Sequence, residues 1–162
     1  MLVTVIVLGM ALTVGFFLIE MVNGWKCEEQ TRAEVIDFRE KLGNVGAGDK
    51  GTVETDILRL GSCVKGIYLK HVEAGHGGNC ELMCPKHPNS CWVIVVDTHT
   101  AGRSMIECVD IAGDSTVESD FITQLDESFE DEWLAESYAF ISSEYLLKIS
   151  KIDTGKIKIG RP

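Results

Sequence analysis

The first nineteen residues, MLVTVIVLGMALTVGFFLI, carry no charge, and Glu20 is the first ionisable side chain. As a helix at 1.5 Å per residue the run is about 28 Å long, close to the hydrocarbon thickness of a bilayer. A stretch this apolar has three ways to leave water. It enters lipid, it is cleaved away, or it is buried against copies of itself.

Cleavage fits poorly. A secretory signal has a basic start, a core of about 7 to 15 residues and a small-residue cleavage site; this run lacks all three. A membrane anchor fits the length, but the flanking charges do not orient it. The basic residues nearest its C-terminal side are Lys26 and Arg32, which read literally places the following domain in the cytoplasm. The cysteines argue otherwise, and removal of a basic leader ahead of Met1 would resolve the conflict. Within the run, Gly9 and Thr13 are four apart, as are Ala11 and Gly15. Small residues at that spacing let helix backbones approach closely, which together with Phe16 and Phe17 marks a face for packing between copies.

The chain is 162 residues long with a formal net charge of -10. Without the run and a short stalk, roughly 120 residues remain, enough for one domain with its own core. The acidity argues against nucleic acid, whose binding rests on Lys and Arg neutralising phosphates. Cys27, Cys63, Cys80, Cys84, Cys91 and Cys108 form an even set, all C-terminal to the apolar run. Beside a membrane or export segment this reads as a disulfide framework in an oxidising space, with fifteen possible pairings for six cysteines. Cys63 and Cys108 fall in expected strands and could pair across a sheet. Cys27 could staple the stalk to the domain, or link subunits.

The helix is expected to continue past Glu20. Residues 25–42, WKCEEQTRAEVIDFREKL, are helix formers without proline, with Val35, Phe38 and Leu42 on one stripe and Ile36 widening it. Gly24 is a possible kink, and Gly43 is expected to end the helix before the loop GNVGAGDKG. From residue 51 the periodicity changes to two. TVETDILRL and SCVKGIYLKHV read as a hairpin-like pair, residues 72–90 as a loop, and CWVIVVDT as a central buried strand. SMIECVDI follows the turn THTAGR as another strand, and EYLLKISKI-DTG-KIKIG closes the chain as a β-hairpin. The fold class is therefore α+β. A long N-terminal hydrophobic helix (residues 1–43, apolar over 1–23 and amphipathic over 25–42) precedes a disulfide-stapled head at 44–162. That head is a small, mostly antiparallel sheet or sandwich of about six strands.

The most chemical-looking stretch is His76, Cys80, Cys84, His87 and Cys91. Zinc could be held by such side chains, but the paired C-x-x-C spacing is missing, and disulfides are the preferred reading. No C-x-x-C-H motif supports haem, and no phosphate loop or nucleophile elbow occurs. Asp126, Glu127, Glu130, Asp131 and Glu132 lack the calcium-loop pattern and read as a solvated face, with the surrounding 128–137 partly helical. No catalytic, cofactor-binding or metal residue is assigned.

Taken together, MLVTVIVLGMALTVGFFLI, the continuation TRAEVIDFREKL and the β-rich residues 51–160 resemble a mature type IV pilin, most closely the archaeal-type filament proteins. Bacterial members usually carry a Glu five residues into the mature helix; this chain has Val5, as archaeal relatives commonly do without it. The resemblance implies a structural role. The helix would hold the subunit in the membrane before assembly, then pack with its copies in the core of an extracellular homopolymer, with the heads outside. The alternative is a single-span surface protein whose disulfide-rich domain binds a partner through the 72–90 loop.

Overall fold

No proline interrupts the chain from the N-terminus to Leu42, and the computed structural model carries this stretch as one helix, α1 (Leu2–Ala47). The structure describes residues 2–73, 80–99, 105–120, 137–140 and 144–162; of residues 2–9, 11, 20 and 137–139 it describes the backbone only. The helix is unbroken at Gly24 and passes Gly43, four residues beyond the expected end. Gly46 explains the miss: a Cβ there would lie 2.4 Å from Ile111 Cγ2. Gly46 permits close packing of helix on chain, whereas a C-terminal stop uses glycine for its backbone freedom.

The expected fold class needs correction at its helix. Among the described residues no helix is long and apolar enough to cross a membrane. Its second half carries alternating charges and is built into the body: Val35, Phe38, Leu42 and Val45 are fully buried.

The head, expected as a small, mostly antiparallel sheet or sandwich of about six strands, carries more strands than that. Eight strands occur among the described residues: β1 (Val53–Arg59), β2 (Val64–Glu73), β3 (Ser90–Thr98), β4 (Met105–Val109), β5 (Thr116–Ser119), β6 (Ser137–Phe140), β7 (Glu144–Asp153) and β8 (Lys156–Gly160). They form two four-stranded sheets, ordered β1-β7-β8-β5 and β4-β3-β2-β6. All pairings are antiparallel except β5 with β8. A short helix, α2 (Cys80–Met83), lies within the expected 72–90 loop.

β1 and β2 are not the hairpin their adjacency suggests. β1 pairs with β7 and β2 with β3 and β6, so the two strands lie in different sheets. The connection between them is pinned to α1 by the Cys27–Cys63 disulfide, and Gly61 lies so close that a Cβ would sit 2.5 Å from Cys27 Sγ. By contrast, the closing hairpin is present: β7 and β8 pair across a turn at Thr154 and Gly155, where Gly155 takes φ +67°.

One core joins both sheets to the helix. Leu58, Leu147, Ile149, Ile157 and Ile159 come from the first sheet, Ile67, Leu69, Trp92, Ile94 and Val96 from the second, and Phe38 of α1 meets Phe140 edge-on at 5.8 Å. β3 is central, as its continuous apolar run predicts. Its opposite face carries Cys91 and Val93 into a second cluster with Val72, Cys80 and Cys84.

Candidate assembly interface

α1 divides into a docked half and a projecting half. Besides its apolar stripe, the docked half is held by charge. Arg39 reaches Glu107 at 3.0 Å, with Arg32 4.0 Å from the same carboxylate. Lys41 donates to Asp37 and to Asp56, each at 2.6 Å, and the Asp56 side chain is only 5% exposed. Burial by itself lowers the Lys41 pKa, but the hydrogen bonds and charges of the two carboxylates outweigh it and hold the pKa above 10.5. The last tie is the Cys27–Cys63 disulfide, with the Cys63 N–H 3.1 Å from Cys27 Sγ.

Beyond that staple, the helix side chains described between Met10 and Trp25 are left largely exposed by the described residues of the body. Ten large apolar side chains between Met10 and Trp25 are exposed by 41–69%, Phe16 and Phe17 among the most. Cβ atoms built at Gly15 and Gly24 would meet nothing within 4 Å. Thr13 is exposed, and its hydroxyl donates to the Met10 carbonyl at 2.9 Å. The surroundings of Gly9 and Ala11 lie outside the described side chains. The exposed area is on the order of 1,000 Å², above the 300–600 Å² of the largest patch on a typical monomer. Successive positions differ by 100°, so residues 10 to 25 present apolar side chains around nearly the whole circumference. One flat partner surface would leave part of it wet.

All six cysteines are paired: Cys27–Cys63, Cys80–Cys91 and Cys84–Cys108. Cys27 is thus the staple between helix and head. The expected Cys63–Cys108 pair is not formed, and the strand order shows why. Cys63 precedes β2 and Cys108 lies in β4, with β3 between them. Two strand spacings amount to about 9.6 Å, beyond the reach of a disulfide. The other two bridges tie α2 and the turn after it to β3 and β4.

The cysteines of the metal-like stretch are therefore consumed in disulfides, and His87 Nε2 contacts Asp110 at 3.2 Å. His76 lies outside the described residues, as do Asp126, Glu127, Glu130, Asp131, Glu132 and most of the expected 128–137 helix. Among the described residues no three metal-ligating side chains converge. Lys86 also pairs with Asp110, and mainly through that hydrogen bond the Asp110 carboxyl titrates below 3.8. A groove of about 560 Å³ opens between these groups and Arg39, Asn44 and Ala47 of α1. Both its cations are already ion-paired.

Sequence reasoning missed one polar cluster. His71 Nε2 lies 2.7 Å from Ser90 Oγ and 2.9 Å from the Gly113 carbonyl, and the Ser90 hydroxyl also contacts that carbonyl at 2.8 Å. With its hydroxyl on a backbone oxygen, the pair clamps the 110–115 segment against β2 and β3. A Cβ on Gly113 would sit 2.0 Å from the Ser90 carbonyl oxygen, so glycine is required for this approach.

No family model matches the chain, and no curated protein or solved structure matches it.

Proposed function

We propose that this chain is the structural subunit of an extracellular filament of the type IV pilus-like kind, assembling through its N-terminal helix with the β-rich head outside. The observation that carries the reading is the apolar segment from Met10 to Trp25, exposed on nearly all sides of a helix whose other half is fixed in a folded body. At about 25 cal/mol per Å², covering on the order of 1,000 Å² is worth tens of kcal/mol before the ordering cost of association. A ring of like helices offers each copy apolar contact on several sides at once. The three disulfides support a place outside the cell, where an oxidising environment preserves them.

Thr13→Asp tests this. Thr13 is exposed in the single chain, so the substitution leaves the head intact, but in a helix bundle it buries an unpaired charge. After removal of detergent, wild-type chain should form filaments visible by negative-stain electron microscopy, and Thr13→Asp should not. A wild-type chain that stays monomeric and soluble without detergent overturns the reading, as do filaments of Thr13→Asp at wild-type yield.

A further inference from the structure

Between Met1 and Cys27 the sequence has only two charged side chains, Glu20 and Lys26. They are opposite in sign, and they cannot satisfy each other. Side chains meet on one helix at spacings of three or four, whereas six residues is 1.67 turns, which sets the two positions about 120° apart around α1. Lys26 is exposed and forms no ion pair among the described residues. It is also fixed in space, one residue before the Cys27 that is bridged to Cys63 at the mouth of the head.

Resting on the assembly reading above, we propose that Glu20 of one copy pairs with Lys26 of the next, setting the register of parallel helices. Six residues at 1.5 Å each give an axial offset of about 9 Å between contacting copies. Because positions 20 and 26 lie on different faces, each copy receives a neighbour at one position and offers the other to a second neighbour. Such a contact is head-to-tail and does not close on itself by a two-fold axis, so it propagates into an open helical polymer. The heads then cannot stack directly above one another: two sheets sharing one core, each four strands wide at about 4.8 Å per strand and about 10 Å from sheet to sheet, exceed that offset in every direction. Neighbouring heads must be rotated around the filament axis, which gives several subunits per turn.

An antiparallel arrangement is disfavoured by the same residues. Pairing Glu20 and Lys26 reciprocally would centre the crossing near Asn23 and lay the partner's apolar residues along residues 27–44 of α1. The exposed side of that stretch carries Arg32, Asp37 and Glu40, a poor partner for an uncharged run.

Charge exchange is the test, on the full chain, with polymer measured as the sedimentable fraction after detergent removal. Glu20→Lys and Lys26→Glu should each lower polymer yield about tenfold or more, because each places like charges together in the bundle. The double exchange should restore the yield to within about twofold, since the pair is regenerated with its sign reversed. Helical reconstruction should then find contacting subunits offset by about 9 Å. Unchanged melting of the head and three intact disulfides in each variant would tie any loss to assembly. Singles that polymerise like wild type, or a double exchange without rescue, overturn the register pair and leave the assembly reading standing. A wild type that never polymerises overturns both.

Discussion

Thr31 is the one described residue whose buried side-chain polar atom has no hydrogen-bond partner. Its hydroxyl sits where α1 passes Gly61, desolvated without compensation. Thr31→Val keeps the shape and removes the unmet group, so we expect a gain of about 1 kcal/mol in denaturant unfolding. Lys41 is the opposite case. Replacing it by Met leaves the buried Asp56 carboxylate without its cation and should cost about 2–3 kcal/mol; adding Asp56→Asn should recover most of that. Lys41 also has a pH signature. Its folded pKa lies above the unfolded value of 10.5, so its contribution is fully present below pH 10.5 and is lost as pH rises through the folded pKa. Chemical denaturation between pH 9 and 11.5 should show a steeper alkaline fall for wild type than for Lys41→Met.

At the scale of elements, the Cys27–Cys63 bridge decides where α1 stops being part of the body. It closes a sequence separation of 36, for which restriction of the unfolded chain is worth about 4 kcal/mol. Cys27→Ser with Cys63→Ser should lower the melting midpoint by roughly 10 °C. It should also let the helix fray back toward Thr31, read as faster amide exchange over residues 27–31 with β3 protection unchanged. Equal exchange with and without the bridge would show that the apolar stripe holds this turn alone. The elements most legible in the sequence were those with one strong local signal. β3 has its continuous apolar run and β7–β8 its DTG turn. The docked stripe of α1 has 3.6-residue periodicity. β5 and β6, four residues each, carry too little pattern to stand out from their surroundings. The β1–β2 hairpin failed because adjacency in sequence competes with a bridge that turns the chain into the other sheet.

For the whole molecule, stability and assembly are linked. If copies bury each other's helices, the assembled form is stabilised by mass action. The wild-type melting midpoint should then rise with protein concentration above the onset of polymer, while that of Thr13→Asp stays constant. The net charge of -10 opposes close approach of heads, so added salt should favour polymer at low concentration by screening that repulsion, within the limits set by the register pair.

Composition and local pattern were enough to determine that this chain has an apolar N-terminal run needing cover, a helix amphipathic in its second half, a β-rich remainder, and cysteines suited to disulfides. Those properties depend on residue type and short-range spacing alone. Only the tertiary structure decided which cysteines pair, how the strands divide between two sheets, and that α1 passes through Gly43 and Gly46 to pack on Ile111. It also decided that the helix is a built-in member of the core on the C-terminal side of Cys27, while its described apolar side chains from Met10 to Trp25 stay exposed. Each of these depends on which distant segments meet, and contacts between segments far apart in the chain leave no periodicity behind in either one.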